Sequence, residues 1–104
     1  MKLSVTTGPT DDIQDIKIGT VSIDPPNILA AATGDIAVTV NGLDAASMWN
    51  VIVSPTSSLS AGITVGGAWV SADNQITVRF VNPTILAINQ GAATFSYVCI
   101  KYIK

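Results

Sequence analysis

Short runs of strictly alternating apolar and polar residues, each closed by a pair that turns or stops a strand, limit what this chain can fold into. The clearest lies at 75–81. Ile76, Val78 and Phe80 take one parity, Thr77 and Arg79 take the other, and Asn82-Pro83-Thr84 ends the run because proline cannot donate to a ladder. Ile36, Val38 and Val40 repeat the pattern up to Asn41-Gly42, and Trp49, Val51 and Val53 repeat it up to Ser54-Pro55. No segment shows the spacing of a helix that buries one stripe. Residue choice agrees: 13 Ile, 11 Val and 11 Thr are β-branched and suit a pleated surface, while Glu, a good helix former, is absent. A chain of 104 residues has room for one core and one domain.

The other runs are less regular. Leu3 to Thr7 reads as a short strand broken at Gly8-Pro9-Thr10-Asp11-Asp12, so residues 1–20 are expected to form an N-terminal arm or edge strand and residues 21–104 the β domain. Ile16 and Ile18 flank Lys17, and Val21 and Ile23 flank Ser22; the slip in phase across Gly19-Thr20 predicts a β-bulge there. Residues 25–34, which follow Asp24 with two prolines, are expected to cross between strands outside any ladder. Residues 56–62 read as a polar loop with room for one helical turn. Ile63, Val65, Gly67 and Trp69 are expected on one face, with Gly66 and Gly67 leaving space for a neighbour, before a turn at 71–74. In the last run, 94–103, Phe95, Tyr97 and Cys99 share one face, yet Val98, Ile100 and Tyr102 make the other face apolar too. The pattern predicts an all-β, jelly-roll-like β-sandwich of about seven or eight antiparallel strands, without separating jelly-roll from immunoglobulin-like topology.

Composition excludes several function classes. Without His the chain lacks the commonest general base and the commonest metal ligand, so triads and His-ligated metals are out. Five basic residues against seven acids offer little to a phosphate backbone, and nucleic acid is not expected as a partner. Asp11, Asp12 and Asp15 crowd oxygens together, but their spacing matches no calcium loop, and they read as a solvated acidic turn; no metal and no cofactor are expected. Cys99 has no His and no adjacent cation to activate it, and as a single Cys it makes no internal disulfide; it reads as core. Gly66-Gly67 precedes no helix and so does not cradle phosphate. The central proline disqualifies Asn82-Pro83-Thr84 as a glycosylation acceptor. Residues 45–72 carry no charge but contain Asn50, Pro55, Gly66, Gly67 and six Ser, so they read as strands and turns with no membrane contact. Met1-Lys2-Leu3-Ser4 lacks the apolar stretch of a signal peptide, so no export is expected. An enzyme would need a cleft with paired carboxylates, and the one Asp cluster lies in the arm. What remains is association: a chain with 12% charged residues and a last strand apolar on both faces needs a partner to cover the second face, so a homo-oligomer is expected.

From Val21 onward the order of signals resembles a small β-sandwich module of tailed-bacteriophage virion proteins, head decoration or cement proteins in particular. The resemblance is carried by Ser22-Ile23-Asp24-Pro25-Pro26, the Ala-rich stretch to Gly34, Val38-Thr39-Val40-Asn41-Gly42-Leu43, Val51-Ile52-Val53-Ser54-Pro55, and Leu59 to Gly62. Trp69-Val70-Ser71-Ala72-Asp73-Asn74, Ile76 to Thr84 and Ala93-Thr94-Phe95-Ser96-Tyr97 continue it. Tyr97 and Cys99 depart from the module's more aliphatic last strand. The resemblance implies a protein without catalysis that trimerises, sits on the capsid surface of a virion assembled in the host cytoplasm, and clamps neighbouring major capsid protein subunits. Contact residues expected for that role are Leu3, Val5, Ile13 and Asp15 in the arm, with Trp69, Arg79 and Tyr102 on strand surfaces. Similar modules occur in tail fibres and spikes. A host-recognition module binding cell-surface polysaccharide is therefore the alternative, and it requires at least two of Trp49, Trp69, Tyr97 and Tyr102 exposed and coplanar.

Overall fold

The computed structural model describes residues 12–60 and 62–103. It is all-β, and among the described residues there is no helix. Six strands follow one another: β1 (Asp12–Ile23), β2 (Ala32–Thr39), β3 (Trp49–Pro55), β4 (Thr64–Ala72), β5 (Gln75–Asn82) and β6 (Ala93–Ile103). They form two three-stranded antiparallel sheets, one ordered β1-β6-β3 and the other β2-β5-β4. The expected strand at Leu3 to Thr7 lies outside the described residues.

The expectation of seven or eight strands exceeds the six described, in part because the two runs on either side of Gly19-Thr20 belong to one strand. No bulge separates them. Gly19 pairs with Tyr97 and Thr20 with Ser96 in unbroken register, and the irregularity in β1 falls at Ile13/Asp15 instead. The slip in phase is an inversion of faces on a regular strand. Val21 packs against the core and Ile23 is buried within it, while Ile16 and Ile18 stand on the opposite side. Gly19 sits at the change-over because Tyr97 crosses it: a Cβ there would stand 2.7 Å from the Tyr97 hydroxyl.

A second correction concerns β4. Ile63, Val65, Gly67 and Trp69 do not share a face. The register shifts between Val65 and Gly67, so Val65 lies opposite Phe80 and Ala68 opposite Val78 on the core side, while Gly67 and Trp69 lie opposite Arg79 and Thr77 on the outside. Gly66 is the extra residue. A Cβ on it would stand 2.5 Å from a Val81 methyl, so only glycine lets the bulged strand lie this close. A third correction concerns 25–34. The prolines do carry the chain across, but Ile28 forms a two-way bridge with Ile88, and the ladder of β2 starts at Ala32, paired with Asn82. Among the described residues of 56–62 there is no helical turn.

One core draws on both sheets. From β2 and β5 it takes Val38, Ile76, Val78 and Phe80, and from β1, β3 and β6 it takes Ile23, Val51, Val53, Phe95 and Cys99. Phe80 and Phe95 meet edge to face across it with centroids 5.6 Å apart. The β4–β5 turn at Asp73-Asn74, where Asn74 takes a left-handed φ of 58°, is clamped to the β2–β3 loop. Val40 and Asn74 donate their N–H groups to the carbonyls of Asn74 and Leu43, at 3.0 and 2.9 Å. Gly42 and Ala45 donate theirs to the side chains of Asn74 and Asp73, at 2.8 and 2.9 Å.

Asn82 closes the other end. It is the one buried polar residue among those described, and its side chain is fully used. Its Nδ2 donates to the carbonyls of Ile28 (3.0 Å), Leu29 (3.3 Å) and Leu86 (2.8 Å), and its Oδ1 accepts from the N–H (3.0 Å) and hydroxyl (2.6 Å) of Thr84. Two loops distant in sequence are thereby joined through one amide whose donors and acceptor have no water to fall back on. Asn82→Ala is expected to destabilise the domain by about 3 kcal/mol, since it strands several buried groups at once. Chemical denaturation measures it, and a loss under about 0.5 kcal/mol, the level of an ordinary surface change, would refute the role given to this side chain.

Candidate functional site

The outward face of the β1-β6-β3 sheet is built from paired positions that run across all three strands. Ile16, Ile100 and Asn50 form one rung, and Ile18, Val98 and Ile52 form the next. Tyr102 extends the set past Ile100, and its N–H donates to the Met48 carbonyl at 3.2 Å, which continues the register into Met48. Beyond Ile18 the character changes. Thr20, Ser96 and Ser54 make one rung, and Ser22 and Thr94 the next, joined by Thr56, whose N–H donates to the Thr94 carbonyl at 3.1 Å. The face is thus divided into an aliphatic half and a hydroxyl half.

The aliphatic half is open to solvent. Ile18 is 66% exposed, Ile52 51% and Met48 53%. Ile16, Val98, Ile100 and Tyr102 are half-buried, and none of them joins the core or the side chains packed on it. No position of these rungs among the described residues carries a charge. Among the described side chains, the charges of the sheet lie on its other side, where Lys17 pairs with Asp15 at 3.3 Å and Lys101 with Asp44 at 3.5 Å. Asp44 also accepts from Ser47 and, at 3.3 Å, from the Trp49 indole N–H, and Lys101 lies 5.7 Å from the centre of the Trp49 ring. The hydrogen bond from Ser47, followed by that from Trp49, holds the Asp44 carboxyl below its usual range.

The outward face of the β2-β5-β4 sheet has opposite chemistry. Arg79 grips Asp35 through two parallel hydrogen bonds of 2.9 and 3.0 Å, and its guanidinium lies 5.1 Å from the Trp69 ring centre. That hydrogen bonding lowers the Asp35 pKa and raises that of Arg79. Thr77 donates to Ser71 at 2.8 Å beside them. This face is solvated and internally paired, so it leaves no apolar surface of comparable extent.

The expected contact residues therefore separate. Trp69 and Arg79 come together on the polar face, Tyr102 stands on the apolar face of the other sheet, and Asp15 is on the charged inner side, where its carboxylate accepts from the Ile16 N–H at 2.8 Å. Ile13 pairs by its backbone with Tyr102, and its side chain lies outside what is described. Leu3 and Val5 lie outside the described residues. Ile16, Ile18 and Ile52 were not among the expected contacts. The signal for the first two was the change of parity at Gly19, which marks a change of side, and for Ile52 the unbroken apolar run Val51-Ile52-Val53. The four large polar aromatics do not assemble a platform. Trp49 and Tyr97 pack on the core, and Trp69 and Tyr102 belong to different sheets. Among the described residues no three His, Cys, Asp or Glu side chains are grouped to hold a metal, and no helix is long and apolar enough to cross a membrane. Comparison with known proteins adds no relative: no family model, no curated protein and no solved structure matches the chain.

Cys99 is fully buried beneath this sheet, opposite Lys17 and Val51, and burial pushes its thiol pKa up. The folded chain therefore keeps a proton that the unfolded chain releases. The resulting stability is complete below the ordinary thiol pKa and drains away as pH rises through the folded value. We expect thiol reagents at mildly alkaline pH to label the unfolded protein at once and the native protein only as it opens. Equal labelling rates would show that Cys99 is not held in the core.

Proposed function

We propose that this protein is a virion structural protein without catalysis, a head decoration or cement protein of a tailed bacteriophage, which associates as a trimer and clamps neighbouring major capsid protein subunits. The observation that carries the reading is the uncharged aliphatic half-face of the β1-β6-β3 sheet, with Ile18 and Ile52 open to solvent. A protein that worked alone would need that face polar. The opposite sheet, with its paired Asp35 and Arg79, is finished for water.

The finer architecture proposed is a jelly-roll-like sandwich of six strands. The chain alternates between the sheets from β1 to β4, and β1 with β6 and β2 with β5 form the nested pairs that a rolled ribbon produces. A cement protein benefits from this economy. Several weak contacts made by one rigid oligomer act together, because each contact after the first is intramolecular. Residues 1–15 of the arm are the segment proposed to be lent to a neighbour or to the shell by strand addition; residues 12–15 already belong to the edge strand β1, paired with β6, and residues 1–11 lie outside the described residues.

Light scattering of the purified full chain is expected to return a trimer mass, and co-sedimentation is expected to show retention on purified phage capsids that lack a decoration protein. A chain that ignores such capsids at every concentration tried overturns the reading. Retention on a panel of bacterial surface polysaccharides with no response to capsids would put the host-recognition alternative in its place.

A further inference from the structure

The aliphatic half-face has the same residue chemistry as the space between the two sheets. The interior is lined by Ile23, Val38, Val51, Val53, Ile76 and Val78; the outer half-face presents Ile16, Ile18, Ile52, Val98 and Ile100. Stacked sheets sit about 10 Å apart when such side chains interdigitate, so whatever covers this face must bring a flat or gently twisted aliphatic surface of its own. At about 4.8 Å between strands and about 6.8 Å between rungs of one face, the two three-strand rungs with the Tyr102–Met48 step beyond them cover at most roughly 300 Å². That falls in the size range of the largest apolar patch on a soluble monomer, which is often functional.

Three observations select the occupant. The described rungs hold no charge, so there is nothing on this face to recognise a charged partner and nothing to repel an identical one. Each copy has a net charge of −2, with Asp15, Lys17, Asp44 and Lys101 on the other side of the sheet and Asp35 and Arg79 on the far sheet, so this is the face on which two copies meet without opposing like charges. Interfaces between unlike proteins that meet and part are only as apolar as ordinary surface, whereas contacts between identical subunits are more so. A patch wholly aliphatic for two rungs apart from Asn50 belongs to the second class.

We infer that the aliphatic half of the outer β1-β6-β3 face meets the same half-face of neighbouring copies of this chain around the trimer axis, leaving the Ser/Thr half wet. The inference deepens the shell reading, which rests on self-association, by naming the surface that makes it, and it is measured without a shell. Sedimentation equilibrium of the full chain up to about 1 mM, the range in which weak contacts saturate, is expected to show association. Ile18→Lys and Ile52→Lys each place a charge in the contact and are expected to return the monomer mass. Thr20→Lys, one rung away on the same strand and face, is expected to leave the mass unchanged.

Should either isoleucine variant fail to fold, as judged by far-ultraviolet circular dichroism and by loss of Cys99 protection, Ile52→Ser and Ile18→Ser replace it and are expected to weaken association at least tenfold. Val98→Cys, at the centre of the aliphatic rung, is expected to cross-link copy to copy with a short bis-maleimide while Cys99 stays protected. A wild-type chain that remains monomeric throughout, association that survives charge at both Ile18 and Ile52, or associated Val98→Cys chains that do not cross-link would each overturn the inference. Association that behaves as expected, with no retention on capsids, overturns the shell reading alone.

Discussion

Strand β6 carries apolar side chains on both faces, and the chain supplies a second layer for only one of them. Phe95, Tyr97 and Cys99 face the β2-β5-β4 sheet and complete the core, while Val98, Ile100 and Tyr102 face away from it. Because β6 is the central strand, its neighbours inherit the constraint. Residues directly opposite one another in an antiparallel ladder share a face, so β1 sets Ile16 and Ile18, and β3 sets Ile52, beside β6's outer residues. The low charge of the chain agrees with this geometry, since a sheet apolar on both sides has few positions to give to Lys or Asp. Of these, Asp15, Lys17 and Lys101 cluster at one end of the inner side, beside Asp44 and Trp49.

With no disulfide and a small core, the loops are held by hydrogen bonds placed where they count most. The two ends of the molecule are closed by asparagines. Asn74 ties the β4–β5 turn to the β2–β3 loop at one end, and Asn82 joins the 24–31 and 83–92 connections at the other. A short amide can donate and accept together, and buried beside irregular backbone it satisfies carbonyls that no ladder reaches. Leu29 and Leu86 stand exposed on those connections, bound to Asn82 and Thr84 through their backbone and not their side chains.

Much of this is legible in the sequence, and the two misjudged strands share one cause. Period-two alternation located β3, β5 and β6 to within a residue or two, and it identified the inward residues of β5 and the apolar second face of β6. It misjudged β1 and β4 because parity reports which side a residue lies on only while the register is known. At Gly19 a change of parity suggests an inserted residue where the backbone is regular and the side changes; at Gly66 an unbroken parity suggests one face where the backbone is bulged. The two errors are mirror images, and local sequence distinguishes them only through what each glycine touches: the Tyr97 ring at Gly19 and a Val81 methyl at Gly66. The site was legible to the same degree. The outer residues of β6 were visible as a pattern, but the rung that joins Ile18, Val98 and Ile52 exists only once three distant segments are paired. Asn82 was visible merely as the residue before a proline, and its burial could not be read from that.

The size of the aliphatic half-face bears on how such a protein would work. Its footprint of roughly 300 Å² is well under the roughly 800 Å² per partner of a standard stable interface. Association also costs several kcal/mol in lost freedom before any net binding appears. A contact of this size is therefore reversible by itself and becomes durable only when other contacts are made at the same time. That is the regime of a component that adds to a preformed lattice: exchangeable while free, and fixed once several weak surfaces are engaged together. The division of the face supports the same conclusion, because extending the aliphatic rungs into Thr20, Ser22, Ser54, Thr94 and Ser96 would have made the patch larger and stickier. The hydroxyl rungs limit the area of the face that excludes water.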